Sequence, residues 1–242
     1  MKGRGMRQRP SGISLIESLT GMTLSLFVIL CSLEFFGLSR NHFYEIKESQ
    51  EKNMAAWTAL DRIRMDVESA GEGLTLPSSL GLIDGIAISD YSLTVLSREQ
   101  SLVPKADLKA GQTLVPLEKT SGVRKNRNIC IFDDQKGEVV KVASVNKSSI
   151  ALSSPLEFSY LEHTVEVLLI REVTISIDHK RGLVRRKVNT SSSQPLCEDV
   201  EDFYFSYDRN SNLLHLRLRL DSDVETFYET LVFPKNMALC SL

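Results

Sequence analysis

Gly12-Ile13-Ser14-Leu15-Ile16-Glu17 is the stretch on which the reading of this chain turns. Upstream lie Lys2, Arg4, Arg7 and Arg9, with no acid among them. Downstream, Ser18 to Leu33 contains no charged residue. An apolar run of about 20 residues crosses a bilayer as a helix, and the run from Ile13 to Phe36 is long enough. A carboxylate at the edge of such a segment is expensive unless something uses it, so Glu17 calls for a function. Positive charge stays on the cytoplasmic side, which places the leader inside and everything beyond Arg40 outside. A secretory signal peptide, with Gly37-Leu38-Ser39 as a weak cleavage site, or a simple anchor also begins with basic and apolar segments. Neither accounts for a carboxylate little more than one helical turn after a glycine.

The composition narrows the remainder. A chain of 242 residues leaves one domain beyond the anchor, with length enough for a core. The leader holds four of the positive charges, so its removal takes the formal net charge from −2 to −6. That balance argues against a general nucleic-acid binder. Cys31 falls in the apolar run, leaving Cys130, Cys197 and Cys240 outside it, where an oxidising compartment permits one disulfide and one free thiol.

From Asn41 to Ala70 there is no Pro or Gly, and helix formers dominate. Trp57, Leu60, Ile63, Val67 and Ala70 recur at helical spacing and predict one buried stripe. Asp61 with Arg64, Arg62 with Asp66 and Arg64 with Glu68 stand three or four apart, as on a solvated face. Gly71 is a natural helix stop. Beyond Gly73 the period changes to two, and strands are expected at 86–88, 92–96, 128–132, 138–145, 149–152, 165–177, 182–188, 202–207, 213–220 and 226–233. Leu214, Leu216, Leu218 and Leu220 alternate with His215, Arg217 and Arg219, as in a half-buried strand. Phe203, Phe205 and Tyr207 share one strand face and are expected in the core. Segment 190–195 reads as a Ser-rich loop. The fold class expected is α+β: a long N-terminal membrane-spanning and amphipathic helix packed on an antiparallel β-sheet domain. Its divisions are a leader at 1–12, a helix at 13–71 and a β-rich domain at 72–242.

The basic leader, the Gly12 cleavage site, the apolar helix and Glu17 at the fifth place after the cut together resemble the type IV prepilin family. Within it, Asp66-Val67-Glu68-Ser69-Ala70-Gly71, the stretch Val173–Asp178 followed by Leu183-Val184-Arg185-Arg186, and Gln194-Pro195-Leu196 with Phe203, Phe205 and Tyr207 resemble PilW-type minor pilins, relatives of PulJ-type pseudopilins. Ile13 in place of the usual Phe, Glu68 where Arg is common and Cys197 after Gln-Pro-Leu depart from the pattern. The resemblance implies a prepilin peptidase that cuts between Gly12 and Ile13 and methylates the Ile13 amine. It implies that Glu17 forms an intersubunit charge pair with that amine, and that the domain is held in the periplasm by a single inner-membrane pass before assembly into a pilus or pseudopilus tip. The implied partners are the peptidase, other minor pilins, the major pilin and the inner membrane, without nucleic acid. It also implies a C-terminal disulfide, Cys197 with Cys240. The function implied is initiation and assembly of a type IV pilus. The alternatives are a type II secretion minor pseudopilin and a membrane-anchored extracytoplasmic binding module.

An enzyme is not expected, nor a metal or other cofactor. His42, His163, His179 and His215 lack metal-ligand spacing, and no nucleophile elbow, phosphate loop or C-x-x-C pair occurs. Asp133-Asp134 reads as a solvated turn. Asp208-x-Asn210-x-Asn212 opens like a calcium loop but lacks its Gly and its closing Glu, so it reads as a strand-joining turn. The cations Lys180, Arg181, Arg185, Arg186 and Lys187 are expected to pair with Glu198, Asp199, Glu201 and Asp202 on a neighbouring strand.

Overall fold

The computed structural model describes residues 15–221 and 227–237. The chain divides into two compact units, Met1–Asn53 and Met54–Leu242. Helix α1 spans Leu15–Glu68 without a break, 54 residues. In the first unit its apolar side chains are exposed, among them Leu15, Phe27, Leu30 and Phe36. It is long and apolar enough to cross a membrane.

The second unit begins with the last four or so turns of α1 and continues through a short helix α2 (Thr75–Ser79) and twelve strands. These are β1 (Ile86–Ser89), β2 (Ser92–Leu102), β3 (Leu114–Pro116), β4 (Asn128–Phe132), β5 (Gly137–Val145), β6 (Ser149–Leu152), β7 (Glu166–Asp178), β8 (Leu183–Val188), β9 (Gln194–Cys197), β10 (Val200–Asp208), β11 (Leu213–Leu220) and β12 (Phe227–Val232). Nine of them form one sheet in the order β1-β2-β7-β4-β5-β6-β3, with β8 added to β7 and β9 to β8; β10-β11-β12 form the other. Every named pairing is antiparallel. The arrangement is α+β, with one long apolar N-terminal helix and antiparallel sheet.

One core cluster joins the helix to both sheets: Ala56, Ala59, Leu60, Ile63, Val67 and Ala70 meet Leu93, Val95, Val173 and Ile175 of one sheet and the inward leucines of β11. The alternation read in β11 holds, with Leu214, Leu216 and Leu218 buried and the residues between them turned outward. Phe203 and Phe205 are buried in the same cluster and Tyr207 packs against it. A second cluster fills the curl of β3 to β6, and a third lies under α2.

Two expectations on the helix are corrected. Trp57 was expected in the buried stripe but is 54% exposed, while Asp66, expected in solvent, is 3% exposed. At about 100° per residue, Trp57 lies about 110° from the centre of the buried set and Asp66 only about 70°. Ala56 takes the place assigned to the indole, which instead meets Tyr228 edge-on at 5.7 Å between ring centroids. The two exposed pairs form as expected, Arg64 with Asp61 and with Glu68.

The helix end is sewn into the sheet. Gly71 takes a φ of +73°, a value that costs glycine little, and its N–H donates to the Leu96 carbonyl at 2.9 Å. Leu96 N–H donates to Gly85, and Arg98 N–H to Glu72. A Cβ on Gly85 would stand 2.7 Å from the Gly71 nitrogen, so the close approach of these two chains needs glycine.

The strand pattern departs from expectation at its margins. β2 continues to Leu102 through a polar stretch, with a bulge between Arg98 and Gln100. β3 was missed because three residues show no alternation. Gln194 and Pro195, expected in a loop, belong to β9, which pairs only with β8; an edge tolerates proline because its missing N–H is not needed there.

Ile63→Ala empties a fully buried position and is expected to cost about 2–5 kcal/mol. Trp57→Ala, which removes a half-exposed indole and its edge contact with Tyr228, is expected to cost less than Ile63→Ala, about 1–3 kcal/mol. Denaturant unfolding of the full chain in mild detergent, followed by circular dichroism, would rank the two; the reverse order would refute the burial assignment.

Candidate assembly segment and buried ion-pair site

The residues singled out from sequence fall in two places. Gly12 and Ile13 lie outside the described residues. Glu17 lies in the first turn of α1, where a carboxylate is favoured by the exposed N–H groups of the helix start. Between Glu17 and Glu34 the polar side chains are mostly hydroxyls, and those of Thr20, Thr23, Ser25 and Ser32 bond within the helix. Thr23 Oγ1 donates to the Leu19 carbonyl at 3.0 Å, Ser25 Oγ to Gly21 at 2.8 Å and Ser32 Oγ to Val28 at 2.7 Å. Back-bonding of this kind lets a hydroxyl sit in hydrocarbon without an unmet partner. Gly21 and Ser25, with Leu24, Val28 and Ile29 beside them, line a shallow notch on the helix surface. Small residues at such a place allow close approach of another helix.

The second place is Asp66. Arg186 on β8 donates to it through both guanidinium branches, Nε to Oδ2 at 2.6 Å and Nη2 to Oδ1 at 2.8 Å. Arg171 on β7 adds a contact from Nη2 to Oδ1 at 3.3 Å. Arg186 opposes Ile175 across the β7–β8 ladder, so period two puts it on the same sheet face as Arg171, toward the helix. Hydrogen bonding to Asp66 raises the Arg186 pKa further, against the opposing effect of burial. A buried charge pair is stable when geometry is bidentate and partners are complete; here it ties α1 to two adjacent strands. Sequence reading missed it because Asp66 also stands four residues from Arg62. The signal that could have found it is the angle of Asp66 to the apolar stripe.

The expected pairing of the basic run with the acidic run is also corrected. Arg185 and Arg186 alternate to opposite faces of β8: Arg185 pairs with Asp178 and Arg186 with Asp66. Glu201 pairs instead with Arg219 on β11. The Asp208–Asn212 segment is a strand-joining turn, as read: Asp208 accepts from Asn210 N–H and Ser211 Oγ, which hold its carboxyl below the usual range, and Asn212 sits at φ +51°.

Cys130 and Cys197 are buried with free thiols. Burial pushes the Cys130 thiol up to about 12 and raises that of Cys197. Cys240, its expected partner, lies outside the described residues. Among the described residues no group of three or more His, Cys, Asp or Glu comes together to hold a metal.

No protein-family model matches the sequence, and no curated protein matches it. Partial likenesses exist to solved phage proteins. The gp54 tailspike of Acinetobacter baumannii bacteriophage AP22 is 18% identical over 32% of this chain and 15% of its own, with a TM-score of 0.29. The tailspike gp61 of Pseudomonas phage phi297 is 16% identical over 30% and 14%, at 0.27. The phage phi92 endosialidase is 11% identical over 60% and 32%, at 0.21. The chain spans about a third or less of the length of these proteins, and at such scores no shared fold follows.

Asp66→Ala strands Arg186 in the interior and is expected to cost about 3–5 kcal/mol. The double variant Asp66→Ala with Arg186→Met is expected to be more stable than Asp66→Ala alone; a double variant as damaged as the sum of both single changes would show that the pair is not coupled. In a background with the other three cysteines changed to Ser, Cys130 is expected to resist thiol reagents at pH 8 until the chain is unfolded. Rapid labelling of the native protein would contradict its burial.

Proposed function

We propose that this chain is a type IV minor pilin that helps to initiate and assemble a pilus. The observation that carries the reading is Glu17, five residues beyond Gly12, in the first turn of an uninterrupted helix whose apolar side chains before Asn53 are exposed. A helix with four of its hydroxyls bonded internally and one carboxylate near its start suits lateral packing in hydrocarbon. In hydrocarbon a carboxylate is favoured by a cation beside it. The new amine of Ile13, formed by cleavage after Gly12, is a cation at the right end of a neighbouring helix. Pairing it with Glu17 couples subunit docking to correct axial register. The notch at Gly21 and Ser25 favours the same close approach. In this reading the β-rich unit faces the periplasm and later the filament tip, and it supplies contacts rather than catalysis.

Two measurements test it. Intact mass and N-terminal sequencing of the membrane-extracted chain are expected to give a start at Ile13, one methyl group heavier than the unmodified residue. A start at Met1 or near Arg40 would replace the pilin reading with an anchored or secreted module. Glu17→Val is expected to leave the chain in the membrane and to remove it from sheared filaments. Undiminished incorporation of that variant would refute the role given to Glu17.

A further inference from the structure

Strand β7 runs for 13 residues, and β2 covers one of its edges from Val167 to Ser176. The other edge is divided between two strands. β4 occupies it from Glu166 to Leu169, and β8 from Val173 to Asp178. Ile170, Arg171 and Glu172 lie in the interval, with no strand beside them on that edge.

Arg127 and Asn189 complete the interrupted ladder. Arg127, 5% exposed, donates through Nη2 to the Ile170 carbonyl at 2.7 Å and to the Glu99 carboxylate. Asn189, at φ +52°, donates its own N–H to the Glu172 carbonyl at 2.6 Å and accepts the Glu172 N–H on Oδ1 at 2.8 Å. Asn128 Nδ2 donates to the Glu172 carboxylate at 3.1 Å, and Asn189 Nδ2 to Glu99 at 3.2 Å. The main-chain groups that face the gap are therefore met without a third strand, and the floor of the gap is a fixed polar network.

Over this floor opens a cleft of about 460 Å³. Eight of its nine lining residues are polar; Arg127, itself paired with Glu99 beneath, stands in it with Lys141, Lys187 and the Glu172 carboxylate. That carboxylate is occupied by Asn128. Lys141 lies across from Asn128 in the β4–β5 ladder, and Lys187 across from Thr174 in the β7–β8 ladder. The two lysines thus stand on strands at opposite sides of the gap, and both line the cleft. Both lysines are exposed and neither has a carboxylate partner among the described residues. An ammonium offers three donors and no acceptor, and Thr190 adds a hydroxyl at the rim. A preformed concave site with cations at its mouth and amides in its floor selects an anion rich in oxygen acceptors.

We propose that this cleft is a binding site for a small organic or inorganic oxyanion, held between Lys141 and Lys187 above the Arg127 floor. The chemistry shared by carboxylate and phosphate groups is what the site reads. The proposal stands apart from the pilin reading, since no residue of α1 takes part.

The test is titration calorimetry of the full chain in uncharged detergent at low ionic strength, with citrate and with inorganic phosphate as probes. Saturable one-site binding of at least one probe is expected. The Lys141→Gln/Lys187→Gln variant, altered only at exposed positions, is expected to keep its melting temperature and to bind roughly tenfold more weakly or worse. Lys105→Gln/Lys119→Gln, with the same change in net charge at exposed positions not lining the cleft, is expected to bind as the parent does. Citrate alone binding would assign carboxylate ligands, phosphate alone would assign phosphate ligands, and both support the site. Absence of saturable binding up to tens of millimolar, or equal weakening by the two double variants, would overturn it.

Discussion

A buried carboxylate in the last turns of α1 governs how the β-rich unit is put together. Asp66 would be costly in that position if it faced only aliphatic neighbours. Arg186 and Arg171 come to it from adjacent strands, so the charge is met only when β7, β8 and the helix are all in register. A one-residue slip of β8 would turn Arg186 to the opposite face and break its two-branched bond to Asp66, leaving the carboxylate the single longer contact from Arg171. The pair thus acts as a register pin for surroundings that are otherwise aliphatic and tolerant of sliding. The main-chain bonds from Gly71 to Leu96 and from Arg98 to Glu72 fix the same corner from the other side.

β7 is the second organising element. Its length allows three strands to share it, and the sheet continues in different directions from its two ends: through β4 to the curl of β5, β6 and β3, and through β8 to β9. That branching leaves an interval in which no strand fits. The Arg127 guanidinium, the Asn189 side-chain amide and the Asn189 main-chain N–H take over the hydrogen bonding there, and the same substitution that rescues the ladder produces a concave polar surface. The cleft is therefore a consequence of topology, and its cations are what give it chemical character.

The first unit follows a different rule. In α1 before Asn53 the apolar side chains are exposed, and the hydroxyls of Thr20, Thr23, Ser25 and Ser32 bond back to the helix. A segment built this way is suited to a solvent that offers no hydrogen bonds. The second unit follows the ordinary rule of a water-soluble domain, with leucines inward on β11 and arginines and acids outward on β11 and the strands paired with it.

Much of this was legible in the residues themselves. The change from helical to alternating period located α1 and ten of the strands, because Leu60, Ile63 and Val67 and the leucines of β11 repeat at spacings that only one local geometry can bury. The basic leader, the charge-free run and Glu17 likewise need no tertiary information to be noticed, since their chemistry is local to one helix. Short edges such as β3 and β9 escaped because three or four residues carry no period. Asp66 and Arg186 stand 120 residues apart, and each has a plausible charge partner nearby in the chain; burial decided between those partners, and burial is a property of the packed sheet. The gap beside Ile170 to Glu172 was beyond reach for the same reason. It exists only because two strands distant in sequence stop short of each other on one edge, and no local pattern records where a neighbour ends.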